Sequence, residues 1–253
     1  SINLIAKKYS LWVIEDAACG FGAKFKDKHV GNFGDTGCFS FHPRKAITTG
    51  EGGMVTTNNS SLAEKIKSLR DHGAVLSDFQ RHHGAKPYLL SDHPYAGYNY
   101  RLTDIQASIG VSQMKRAKKI LSERKEIADF YNLHLEKLKF FQLPLSTENF
   151  DHGYQSFPCI YDIDNVGLNY VKKINSMRNE FMEYLQKNGI STRPATHAVH
   201  MLKYYKTKYE MGKEKFPNAY IANECSISFP LYNGLKKDEM LYVIEKIRSF
   251  FKK

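Results

Sequence analysis

The chain has 253 residues, 42% of them hydrophobic, enough to bury a sizeable core as one large domain or two small ones. Its formal charge of +11 comes from basic residues interleaved with acids, as in Glu123-Arg124-Lys125-Glu126, and no nucleic-acid-binding motif accompanies it. A small anionic ligand therefore suits the charge better than a nucleic acid. No apolar run nears the roughly 20 residues of a membrane span, and Ser1 to Lys8 lacks a signal-peptide core, so a soluble, cytoplasmic protein is expected. Cys19, Cys38, Cys159 and Cys225 are widely spaced, which argues for reduced thiols and against a zinc site or a disulfide framework.

Ile2 to Tyr9 reads as the tail of a helix feeding a short apolar run, Trp12-Val13-Ile14, predicted to be a buried parallel strand ending in the carboxylates Glu15 and Asp16. Ligands of open α/β sheets bind beyond the carboxyl ends of strands, which puts Asp16 where chemistry occurs. Gly20 to Gly34 is turn-rich and predicts a brief hairpin or loop. Cys38 to Phe41 and Met54 to Thr57 are predicted strands, and the segment between them is too rich in Gly, Thr and charge to be core. Lys45 lies in that loop, where a partly desolvated amine becomes a nucleophile; the competing reading is an exposed loop lysine. A strand-end carboxylate that pairs with a pyridinium nitrogen, together with a lysine that takes up an aldehyde, is the pair that pyridoxal phosphate requires.

Beyond Thr57, Leu62, Ile66 and Leu69 predict a helix from Ser61 to His72, with Ser61 and Glu64 as a capping box and Gly73 as the stop. Gly73 to Tyr98 has no sustained period and is predicted to be a long irregular loop. Its His82-His83 pair diverges on any regular element and has no acidic partner at ligand spacing, so a solvated loop is expected rather than a metal site. Thr103 and Gln106 form a second capping box that opens a helix through Ile105, Ile109 and Met114. Leu121 to Leu138 predicts an amphipathic helix with Ile127, Phe130 and Tyr131 inward, a solvated Lys and Arg face, and a role as connector between a large domain, 1–138, and a small one, 139–253. The small domain reads as an α+β layer. Its predicted strands are Phe157 to Tyr161, Ile190 to Arg193 and Ser226 to Phe229. Its predicted helices are Asn175 to Lys187, stopped by Gly189, and Lys237 to Phe250 with Met240, Leu241, Ile244 and Ile247 inward.

Longer motifs now stand out in order: Glu15-Asp16-Ala17-Ala18, Gly31-Asn32-Phe33-Gly34-Asp35, Ser40-Phe41 with Lys45 five residues after the serine, and Glu51-Gly52-Gly53. Gly97-Tyr98-Asn99-Tyr100-Arg101-Leu102-Thr103-Asp104-Ile105-Gln106-Ala107 and Ser191-Thr192-Arg193-Pro194 with Thr196-His197-Ala198-Val199-His200 follow. Over nearly the whole chain these resemble the DegT/DnrJ/EryC1/StrS sugar aminotransferases, fold-type-I pyridoxal-phosphate enzymes, and within them the GDP-perosamine synthase branch.

The resemblance implies part of a three-layer α/β/α large domain plus a smaller α+β domain, and transfer of an amino group, with glutamate as the expected donor, to a nucleotide-linked 4-keto-6-deoxy sugar. Carried over by residue, Lys45 is the Schiff-base lysine, Asp16 the pyridinium partner, Ser40 a donor to the cofactor phosphate, and Asn99 a residue reaching the phosphate in a neighbouring subunit of a homodimer. Arg193, His197 and His200 become candidates for substrate binding, each also readable as structural. Cys19 stands where members often carry Gln. The resemblance also implies chain before Ser1, either as further sequence or as a separate polypeptide, with a helix start for the phosphate and an aromatic over the ring. Two rivals stand beside this reading: a sugar dehydratase of the same fold, which carries His where this chain has Lys45, and a non-catalytic binding or regulatory protein.

Overall fold

The computed structural model describes residues 1–75, 88, 90–145, 147–161 and 167–252. Contacts divide the chain into two compact units, one comprising Ser1–Lys118 and Glu148–Gln155, the other Lys119–Thr147 and Ser156–Lys253. The division falls one helix earlier than the boundary expected at residue 138, because that helix packs its apolar face within the second unit.

In the first unit, helix α1 (Ile2–Lys8) leads into strand β1 (Ile14–Asp16). β1 runs parallel to β4 (Thr36–Ser40), with Asp16 opposite Cys38, and β4 runs antiparallel to β5 (Gly53–Thr56). The strand is displaced toward the carboxylates from the predicted Trp12 run and is not buried: Trp12 is 66% and Ile14 70% exposed, with no layer of described residues over them. The predicted hairpin is present as β2 (Lys24–Phe25) and β3 (Lys28–His29). Lys26 and Asp27 at its tip both have positive φ, the pattern of a type I′ turn. A third strand, β7 (Phe150–Asp151), pairs with β2 from across the chain.

Helix α2 (Ser60–Leu69) begins one residue before the predicted capping box, because the Asn59 side chain accepts from the Leu62 backbone N–H. It ends before His72 because neighbouring backbone captures the next groups: Tyr98 N–H donates to the Leu69 carbonyl, Tyr100 N–H to Arg70, and His72 N–H to Tyr98. Helix α3 (Asp104–Lys115) carries the Thr103–Gln106 capping box as predicted. None of its residues is buried, and Ile105, Ile109 and Met114 are exposed. His82 and His83 lie outside the described residues.

The second unit opens with helix α4 (Ala117–Leu135), whose Ile127, Tyr131 and Leu135 are buried, while Phe130 is half-buried. Its cationic face is not wholly solvated: Arg124 is 5% exposed and reaches Asn233 Oδ1, and burial lowers its pKa. The sheet is β6 (Phe141–Gln142), β8 (Phe157–Tyr161) and β9 (Ser226–Phe229), antiparallel, with β8 central. Ile190 to Arg193 does not form the predicted strand. Only Arg193 pairs, through a single bridge to Ser228, and Pro194 lacks the N–H that would extend it. Helix α5 (Val171–Lys187) starts a turn before prediction and ends at Gly189, which has φ +76°. A one-turn 3₁₀ helix (Val199–Met201) and helices α6 (Lys203–Tyr209) and α7 (Pro217–Cys225) fill a stretch left unassigned by sequence. In helix α8 (Lys237–Phe251), Val243 takes the buried position predicted for Leu241, which is 43% exposed.

Candidate active site

The predicted catalytic residues of the first unit meet at the carboxyl ends of β1 and β4. Asp16 is the last residue of β1, and its Oδ1 accepts from Ala18 N–H at 3.1 Å, closing a tight turn that presents Cys19. Ala17 N–H continues the ladder onto the Cys38 carbonyl. Ser40 ends β4, its Oγ accepting from His42 N–H at 3.3 Å. Lys45 follows in a turn closed by its own N–H onto the His42 carbonyl, and its half-buried side chain extends to Cys19 with Nζ 2.8 Å from Sγ. That contact joins the two strand ends across 26 residues of sequence.

Motifs flanking the site turn out to hold backbone. The Glu15 carboxylate accepts from Gly31 N–H at 2.8 Å, from Phe33 N–H and from Gly34 N–H at 2.7 Å, so one side chain pins the whole Gly31–Gly34 turn. Asp35 Oδ2 does the same for Val13 N–H at 2.7 Å. Gly31 is required there: a Cβ would lie 2.6 Å from the Phe39 ring. These bonds fix the mutual position of β1 and β4, and with it the spacing of Asp16 and Ser40. Across the Lys45 loop, Phe41 N–H donates to the Gly52 carbonyl and Thr49 Oγ1 to the Glu51 carbonyl, while Gln106 Nε2 reaches that same Glu51 carbonyl at 2.9 Å.

Gln155 was not legible as a site residue. Its Oε1 accepts from Ala46 N–H at 3.1 Å and its Nε2 donates to the Arg44 carbonyl at 2.5 Å, so a single amide clamps the peptide groups on both sides of Lys45. The partners are separated by 109 and 111 residues, and no local pattern marks such a pair.

Asn99 is exposed and forms an isolated bridge with Asp71, whose carboxylate also pairs with Arg101 at 2.7 Å. Arg193, His197 and His200 belong to the second unit. Arg193 and His197 are exposed, whereas His200 is 6% exposed, edge-on to Phe216, with Nε2 lacking a hydrogen-bond partner. Among the described residues no cluster of His, Cys, Asp or Glu could hold a metal ion, and no helix is long and apolar enough to cross a membrane.

The donor set is therefore an amine, a carboxylate, a hydroxyl and a thiol gathered at parallel strand ends, which fits a phosphorylated pyridine aldehyde and defines the class as a pyridoxal-phosphate-type α/β fold. In agreement, the structure of Helicobacter pylori PseC, an aminotransferase involved in the biosynthesis of pseudoaminic acid, matches with a TM-score of 0.84 and 26% identity, over 98% of this chain and 62% of that one. The profile of the DegT/DnrJ/EryC1/StrS aminotransferase family matches residues 1–248, and the chain belongs to that family. An uncharacterized protein of Methanocaldococcus jannaschii is 39% identical over 97% of the chain, and the GDP-perosamine synthase of Escherichia coli O157:H7 is 33% identical over 98%. The chain spans 61% and 60% of the length of these two relatives.

Proposed function

We propose that the protein is a sugar aminotransferase that takes an amino group from glutamate and places it on a nucleotide-linked 4-keto-6-deoxy sugar, with pyridoxal phosphate held on Lys45. The observation that carries this reading is the half-buried Lys45 amine at the ends of two parallel strands, one of which ends in Asp16. When bound, that cofactor supplies an aldehyde that takes up amino groups and a ring that withdraws electrons from the reacting carbon.

Each residue has a task that follows from its chemistry. Lys45 Nζ would hold the cofactor's aldehyde, and as a free amine it would be the base that moves a proton at the substrate carbon. The Asp16 carboxylate holds a proton on the ring nitrogen by charge, which Asn could not do. Ser40 Oγ, which already accepts from His42 N–H, has its own hydrogen free to donate to a phosphate oxygen. Gln155 keeps the Lys45 peptide from sliding as the amine is released and recaptured. In the second unit the exposed Arg193 guanidinium suits a diphosphate or the donor's carboxylate, with His197 nearby in sequence, whereas the buried His200 packs edge-on to Phe216.

We further infer a homodimer in which Asn99 serves the neighbouring subunit's site. Helix α3 supports it: Val111 and Met114, neighbours on one face, are 57 and 54% exposed on a helix with no buried residue, the pattern of a surface covered by a second copy. The presence of lysine at position 45 favours amine transfer over the dehydratase alternative. The test is a panel of keto-sugar nucleotides incubated with glutamate and pyridoxal phosphate. An amino-sugar nucleotide as product supports the reading, and cofactor binding without amine transfer to any of them refutes it.

A further inference from the structure

We propose that Cys19 and Lys45 form a reversible, peroxide-driven sulfur–nitrogen link that takes the Lys45 amine out of use. Nζ already stands 2.8 Å from Sγ. N–H···O bonds have this length, and for the larger sulfur atom it is a close contact, inside the roughly 3–3.5 Å separation of groups poised to react. No chain movement is needed to bring nucleophile and electrophile together.

The four cysteines are not equivalent. Cys159 and Cys225 are 2% and 0% exposed, and burial pushes the Cys159 thiol pKa up, which makes it inert. Cys38 is half-buried within β4. Cys19 is exposed, on a turn closed by Asp16, and so is open to a small oxidant. It is also the cysteine whose sulfur touches a primary amine.

The chemistry balances with a hydroperoxide as oxidant. Sulfur attacks the peroxide, the O–O bond breaks, water leaves, and the thiol becomes a sulfenic acid, oxidised by two electrons. The neutral Lys45 amine then attacks sulfur, the S–O bond breaks, and the departing hydroxide takes the amine proton as a second water. The product is a sulfenamide, with the chain lighter by two hydrogens. A small thiol reverses it: the first attacks sulfur and frees the amine, leaving a mixed disulfide, and the second releases the Cys19 thiol. A lysine occupied by cofactor has no free amine to attack, so loading and oxidation exclude one another. That the link silences the enzyme rests on the role proposed for Lys45; its formation does not.

The test treats the protein with one equivalent of hydrogen peroxide, with and without prior saturation by pyridoxal phosphate, followed by peptide mass mapping. We expect a linked pair of peptides containing Cys19 and Lys45, about 2 Da below their sum, absent in Cys19→Ser and Lys45→Arg, reversed by dithiothreitol and at least tenfold scarcer after cofactor loading. Oxidation of Cys19 to sulfinic acid with Lys45 unmodified, or a Cys19–Cys38 disulfide, overturns the proposal. A link that forms but is not suppressed by cofactor leaves the proposal standing and tells against the role assigned to Lys45.

Discussion

The two units are held together by different means. The second has an aromatic core: Tyr131, Phe157, Tyr161 and Phe181 are at most 1% exposed, and their rings pack on one another and on Phe229 at 5.2 to 6.4 Å. The first buries mainly small and polar groups, Ala6, Ala17, Ala46, Thr36, Thr49 and Ser68, with Ile47 and Tyr154 the large apolar side chains among its described buried residues. What fixes it is polar: Glu15 and Asp35 on backbone N–H groups, and Gln155 astride Lys45. The first unit holds Asp16, Ser40 and Lys45 by side-chain clamps on peptide groups, whereas the second is built by apolar volume.

The largest effect is expected at Phe181, 0% exposed within five aromatic neighbours. Phe181→Ala should cost about 4 kcal/mol, as large core truncations do, seen as a lower urea midpoint for the second unit. Glu15→Ala should cost about 3 kcal/mol by leaving three N–H groups without a charged acceptor. Its signature is different: local loss of amide-exchange protection at Gly31 to Gly34, with the second unit unchanged.

The aromatic core also sets an alkaline limit. Burial, helped by the Glu180 carboxylate, pushes the Tyr161 hydroxyl from 10.0 up to about 12. Between those two values the unfolded chain has lost a proton that the folded one retains, so stability falls as pH rises through that window. Tyr161→Phe should flatten the alkaline slope measured by denaturant titration. The smallest effect belongs to Gln155→Ala, about 1 kcal/mol for two neutral hydrogen bonds at a partly exposed site. It should lower turnover well beyond that stability change, because it loosens the peptide that carries Lys45.

Where structure followed from neighbours in sequence, it was readable. The strand–loop–strand around Lys45, the Thr103 capping box, the Gly189 stop and β8 and β9 were all visible in local pattern, and the grouping of Asp16, Ser40 and Lys45 followed from the family motifs. Where distant backbone intervened, it was not. Helix α2 stops short because Tyr98 and Tyr100 capture the groups after Leu69, β7 is a strand only because β2 lies beside it, and Gln155 reaches Lys45 from the other end of the first unit's sequence. The burial of Trp12 and Ile14 was misjudged for a related reason, since apolar sequence marks what could be covered and not whether a layer lies over it.

Trapping bound pyridoxal phosphate with borohydride identifies the amine that carries it. After reduction and peptide mapping, the adduct is expected on Lys45 and to be absent from Lys45→Arg. An adduct on Lys24, Lys26 or Lys28 with Lys45 unmodified would contradict the account.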